Sequence, residues 1–219
     1  MSSLTHASRA NVFQREATWC LTADALERRG GEPADAPWSA HALRFYLRLL
    51  WPWSGIRIDR GGPARFPYRE IAEIRLLFDP TRFDAQRHRC DITPRSGTRV
   101  SLWSTHYVSV GEFEDRGASY RPFVRALVAH AAAASPACRF RAGKKPLVYW
   151  AEQIFLAAMA ALLVFVLALV GGSGLSDLVL LKLAIVAAMI PLALRYARKN
   201  RPRSFAPGQI PPDLLPEPD

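Results

Sequence analysis

The apolar positions of this chain change their spacing along its length, and the changes divide it into three stretches. From Ile56 to about Val110 short segments alternate: Ile56 and Ile58 fall on one side of Gly-Ile-Arg-Ile-Asp, His88, Cys90 and Ile92 on one side of Arg-His-Arg-Cys-Asp-Ile-Thr-Pro, and Val100 and Leu102 on one side of Thr-Arg-Val-Ser-Leu-Trp-Ser. A period of two is that of half-buried strands. Pro94-Arg95-Ser96-Gly97 supplies turn chemistry for a hairpin between the last two. Further strands are expected at Ala17–Leu21 and around Ile74–Phe78, where Ile71 and Ile74 also suit a helical turn.

Past these segments the spacing lengthens, and Tyr120, Phe123, Val124, Leu127 and Ala131 share one face of a helix. Ser119 is its expected cap, Pro122 fits a first turn, and Ser135-Pro136 is the stop. The third stretch has no polar face. Trp150–Val170 is polar only at Glu152 and Gln153, and its roughly 31 Å as a helix matches one bilayer crossing. A second run, Leu178–Tyr196, carries one charge, Lys182, about a turn from its end, from where the amine reaches the interface. Gly171, Gly172, Ser173 and Gly174 permit a tight reversal between the runs, Tyr149, Trp150 and Tyr196 suit the headgroup level, and Pro191 kinks or ends the second run. Two helices apolar on all faces would need a larger surrounding core than the other residues supply, so the pattern predicts a transmembrane hairpin.

Charge sharpens this picture. Of the net +10, residues up to Cys138 hold 19 bases and 14 acids, Arg139–Arg203 hold 10 and 2, and the remaining tail holds 3 acids only. The excess flanks the apolar runs, with Arg139, Arg141, Lys144 and Lys145 before the first and Arg195, Arg198, Lys199, Arg201 and Arg203 after the second, while the intervening loop has no base. That distribution predicts a multi-pass protein of a bacterial-type inner membrane with both termini cytoplasmic, and it argues against a nucleic-acid partner, which would need the charge on the folded domain. The first twenty residues hold no apolar run behind a basic start, so no secretory signal is expected. Cys20, Cys90 and Cys138 lie too far apart for a CxxC pair and read as reduced thiols.

The segment Trp38–Gly55 fits two periods. As a helix it sets His41, Arg44 and Arg48 opposite Leu43, Leu47 and Leu50, with Trp51 and Trp53 at its end, a composition suited to a membrane surface; as a strand, Leu43, Phe45, Leu47 and Leu49 alternate equally well.

Thr-Trp-Cys-Leu-Thr-Ala-Asp-Ala-Leu, Phe-Pro-Tyr-Arg-Glu-Ile-Ala-Glu-Ile-Arg-Leu-Leu-Phe and the closing Ser-Tyr-Arg-Pro-Phe-Val-Arg-Ala-Leu-Val-Ala-His together resemble the bacterial PH-like domains of small membrane proteins. The resemblance covers residues 17–143 and implies an α+β fold, an antiparallel sheet closed by an amphipathic helix, that binds lipid, peptide or protein and has no catalytic residues. Gly30–Gly55 departs from it as an insertion. The expected organisation is a flexible N-terminus (1–16), the PH-like domain (17–143, insertion 30–55), transmembrane helices at 146–170 and 178–197 joined by a short periplasmic loop (171–177), and a basic, then proline-rich tail (198–219).

Catalytic motifs are absent from the sequence: there is no GxSxG, HExxH, GxxxxGK[ST] or GxGxxG. His88 and Cys90 would share a strand face with His106 across a hairpin, but chance polar residues on a sheet are commoner than a metal site. Glu112, Glu114 and Asp115 read as a solvated loop before the helix, and Arg87, Arg89, Arg95 and Arg99 as a group able to meet phosphate. The tail reads as extended, with Ile-Pro-Pro-Asp-Leu-Leu-Pro a peptide able to dock on its own domain or a partner. The expectation is a non-catalytic, cofactor-free, membrane-anchored binding or assembly module. Its partners would be membrane lipid, contacted by Arg44, Arg48, Trp51, Trp53, Arg139, Arg141, Lys144, Lys145, Arg195, Arg198 and Lys199, or a protein partner or second copy met through the helices. The alternative is a small oligomeric transport or channel-type subunit built around Lys182.

Overall fold

A computed structural model describes residues 4–9, 16–30, 64–81, 84–97, 99–109, 111–170, 191 and 193–217. The chain forms two compact units, one of Met1–Arg141 with Phe205–Asp219 and one of Ala142–Ser204. The first is mixed α+β with antiparallel sheets. Strands β1 (Thr5–Ser8), β2 (Ala17–Leu21), β3 (Ala25–Arg29) and β4 (Ala64–Pro67) form a meander in chain order. A 3-10 turn at Tyr68–Glu70 leads into β5 (Ile71–Phe78), which pairs with β6 (His88–Pro94), itself paired with β7 (Val100–Trp103). Strands β8 (Thr105–Ser109) and β9 (Glu112–Asp115) make a separate hairpin, followed by helix α1 (Gly117–Ala134) and strand β10 (Arg139–Ala142) alongside β5.

Pattern and fold agree where the period is regular. The face of α1 formed by Tyr120, Phe123, Val124, Leu127 and Ala131 is buried, along with Val128. It packs on β1, β2 and the 3-10 turn, and Tyr68 stacks on His130 with ring centroids 5.2 Å apart. The turn between β6 and β7 closes with Gly97 donating to the carbonyl of Pro94 at 3.0 Å, its φ of +86° being one that glycine adopts without strain.

Three expectations need correction. Thr5–Ser8, assigned to a flexible terminus, is a strand because His6, 1% exposed, is satisfied in the interior: Nε2 lies 2.8 Å from the carbonyl of Trp103 and Nδ1 3.0 Å from the Ser119 hydroxyl. A carbonyl only accepts, so Nε2 carries the proton and donates to Trp103, while Nδ1 faces the Ser119 hydroxyl, which also has the Arg116 carbonyl at 3.1 Å as an acceptor. Ser119 is not the cap; Arg116 holds that position and α1 starts three residues earlier than expected, at Gly117, whose amide donates to Asp115 at 2.8 Å, so Pro122 falls in the second turn. Glu112, Glu114 and Asp115 lie in β9, paired to β8, and not in a loop. The tail's Ile-Pro-Pro-Asp-Leu-Leu-Pro segment docks on its own unit, one of the two alternatives expected for it, with Leu214 and Leu215 buried at 0% and 3% exposure.

Asp91 explains why alternation alone understated β6. It is 1% exposed and accepts from Arg99 and Ser101, with Arg89 at 3.2 Å. Arg89 also donates to Asp79 at 3.1 Å, so a strip of alternating charge is neutralised within the sheet.

The second unit contains helix α2 (Pro146–Val170) and a helical stretch at 193–199. Over Pro146–Val166 the mean hydropathy is 1.8 and none of the residues is buried, so this helix is long and apolar enough to cross a membrane. Most of the expected second span, 178–197, lies outside the described residues, as do Lys182, the loop at 171–177 and nearly all of the insertion at 30–55.

Asp91→Ala leaves Arg99 without its carboxylate and Arg89 with Asp79 alone, and is expected to destabilise the fold by about 3 kcal/mol in urea titration. Asp24→Ala, which breaks an exposed pair with Arg65, should cost under about 1 kcal/mol. Burial, aided by the charge of Arg116 and opposed by the Trp103 hydrogen bond, holds His6 below its ordinary 6.5. The unfolded chain thus binds the proton more readily, and stability present above pH 6.5 is lost as the pH falls, by up to ~1.4 kcal/mol per pH unit. His6→Gln should flatten that limb of the profile.

Candidate functional site

The residues with the richest polar chemistry in the second unit gather where its chain begins and ends. Gly143 has a φ of +74°, and a side chain there would overlap the carbonyl oxygens of Asn200 and Arg201. Two requirements, a left-handed backbone and a close approach, thus coincide at one glycine. Next to it the amide of Lys144 donates to the carbonyl of Asn200 at 3.0 Å. The chain that departs at Gly143 has come back to the same point by Asn200.

Side chains reinforce this tie. Lys144 donates to the carboxylate of Glu152, one helical face along in α2, and its ammonium sits 5.0 Å from the centre of the Tyr196 ring. Burial by itself would lower the lysine pKa, but the hydrogen bonds to Glu152 and Tyr196 outweigh it and hold the group above its ordinary value, so the ammonium stays charged. Asn200 is fully buried, and its amide donates to the Tyr196 carbonyl at 3.0 Å, ending the second helical stretch. Pro146 opens α2 at the one place where a missing amide costs nothing.

Around this neck the basic residues sort by role. Lys145, Arg195, Arg198 and Arg201 are exposed, Lys199 is half-buried, and Lys144 is committed to the neck itself. Trp150, 62% exposed, stands with Tyr149 beside the first turn of α2, their rings 5.6 Å apart. Exposed cations beside aromatic side chains at the foot of an apolar helix are suited to phosphate-bearing headgroups.

The expected site residues are therefore only partly assembled. The second unit brings together Lys144, Lys145, Arg195, Arg198 and Lys199. Arg139 and Arg141 belong to β10 in the first unit, where Arg141 faces Glu73 at 3.5 Å. Arg44, Arg48, Trp51 and Trp53 lie outside the described residues. The arginine group in and beside β6 and β7 is mostly spent internally: Arg87 is buried 3.9 Å from the centre of the Trp103 ring, Arg89 and Arg99 pair with aspartates, and Arg95 is exposed on the turn.

No cluster of three or more metal-ligating side chains occurs among the described residues. His88 packs against Phe78, the buried Cys90 thiol is pushed far above its ordinary range by desolvation, and His106 lies 3.8 Å from Glu16. Sequence reading missed Gly143, Glu152, Tyr196 and Asn200 as a set. A glycine ahead of Lys-Lys-Pro and an asparagine after a helical run were the available signals, and only pairing across the unit gives them meaning.

Gly143→Ala should lower the melting temperature of the detergent-solubilised protein more than Gly97→Ala does. Gly97 has the same left-handed backbone with nothing within 4 Å of an added carbon, so it isolates the backbone cost of about 1 kcal/mol. The surplus at Gly143 reports the neck; equal losses would mean that Asn200 and Arg201 do not press on it. No family model, curated protein or solved structure matches this chain.

Proposed function

We propose that this chain is a non-catalytic, membrane-anchored binding module of a bacterial-type inner membrane, multi-pass, with both termini cytoplasmic and a collar of Lys145, Arg195, Arg198 and Arg201 that engages anionic lipid headgroups. The observation that carries the reading is that one folded unit is built from Met1–Arg141 and Phe205–Asp219, with Ala142–Ser204 between them. A folded unit occupies one side of a bilayer. A segment that departs from it at Arg141 and rejoins it at Phe205 crosses an even number of times. Helix α2 has the length and composition for one crossing, so a second is required, and Leu178–Tyr196 is the apolar sequence available for it.

The lysine–asparagine tie at the neck supports the same reading from within the second unit, since a hairpin must begin and end on one face of the membrane. Basic residues at both feet, and none between Asp177 and the preceding glycines, orient those feet toward the cytoplasm. For the folded unit we infer a PH-like scaffold, supported by the order of its elements: a four-stranded meander, a second antiparallel meander, then an amphipathic helix whose apolar face is buried.

Reporter fusions test the topology: a fusion after Asp219 should report the cytoplasm and one within 171–177 the periplasm, and a periplasmic C-terminus would end the proposal. For the collar, the triple variant Lys145→Gln, Arg195→Gln, Arg198→Gln should copurify with severalfold less anionic phospholipid than the parent. Unchanged lipid content would remove the headgroup role while leaving the topology intact.

A further inference from the structure

The last residues of the chain sit in the first unit as a bound peptide would. Pro212–Leu214 forms a 3-10 turn whose bonds are internal, Leu214 donating to Pro211 at 3.1 Å and Leu215 to Pro212 at 3.2 Å. Leu214 and Leu215 are buried, and the turn lies against β5. Pro216 reaches the start of α1, where its carbonyl accepts from Arg121 at 3.4 Å and its ring abuts Gly117, so that a side chain carbon on that glycine would meet it at 3.0 Å. Two adjacent leucines fill an apolar seat, and an arginine reads a backbone carbonyl beyond them.

We propose that this seat is a peptide-binding site, with the chain's own C-terminal segment as resident ligand, and that it accepts in exchange another peptide carrying a leucine pair between prolines. Three observations favour exchange. The residues that lead to the seat, Ala206–Gln209, are all exposed and form a turn of their own, Gln209 donating to Ala206 at 2.9 Å, so they hold the tail loosely to the rest. Pro211, Pro212 and Pro216 restrict the segment before it binds, which lowers the ordering cost for any chain of the same sequence. The pairing of β5, β6 and β7 and the buried face of α1 are built from residues that precede the tail.

Emptying the seat uncovers the surface that Leu214 and Leu215 cover, near Arg121, and a peptide of the same chemistry then takes their place. The tail thereby controls access to the site, since a tethered copy competes at high effective concentration with any ligand in solution.

The test replaces Ala206–Gln209 in the full-length, detergent-solubilised protein by a recognition sequence for a site-specific protease, so that cutting follows folding. After cutting, the released segment should remain bound and then exchange with excess fluorescent peptide of residues 205–219. A peptide with Leu214→Ala and Leu215→Ala should bind at least ~100-fold more weakly, and the uncut protein should take up little of either. Failure of the cut protein to incorporate the label, or equal uptake of the two peptides, would overturn the proposal. Thermal melting of the cut protein provides the second measurement: the midpoint should drop on removing the segment by gel filtration and recover when the parent peptide is added back. A midpoint that does not recover would also overturn it.

Discussion

Phe205 donates its amide to the carbonyl of Phe140 at 3.2 Å, and the two rings lie 5.9 Å apart. This contact brings the chain back into the first unit after the whole of Ala142–Ser204 has been made, and the burial of Leu214 and Leu215 secures it. Much else depends on it. If the two flanks of a long apolar segment belong to a single folded body, the segment is an insertion in that body, and its own two ends must be neighbours. The neck of the second unit has that property independently, through Gly143, Lys144 and Asn200.

Charge placement follows a common rule in both units: a buried ion is kept where a partner meets it. Asp91 has Arg89, Arg99 and Ser101; Lys144 has Glu152 and the ring of Tyr196. His6 solves the same problem by remaining neutral between a carbonyl and a hydroxyl. Within the second unit the exposed cations Lys145, Arg195, Arg198 and Arg201 lie at the foot of α2 and around the end of the 193–199 helical stretch.

How legible these features were depends on their range along the chain. The buried face of α1, strand β2 at Ala17–Leu21 and the Pro94–Gly97 turn follow from local periods or turn residues. Strand β1 escaped because Thr-His-Ala-Ser has almost no apolar signal and is buried through hydrogen bonds made about a hundred residues away. The tail was legible as a docking peptide, but with prolines dominating and two leucines too few to make a period, its seat was left open between its own domain and a partner. Arg89 in β6 and Arg99 just before β7 looked like part of an anion site because their aspartate partners lie two positions along β6 or across the sheet, where charge counting does not separate a pair from a patch. At the neck, basic composition located the right residues, but the tie that gathers them is a bond between distant backbone groups.

The central claim is that the two ends of the chain fold as one body around an inserted segment. Deleting residues 142–204 and joining Arg141 to Phe205 through a short glycine–serine linker tests it most directly, by calorimetry of the product in the absence of detergent. The account predicts a soluble monomer with one cooperative melting transition and protected amides at Leu214 and Leu215. A product that aggregates, or that melts without a cooperative transition, would contradict it.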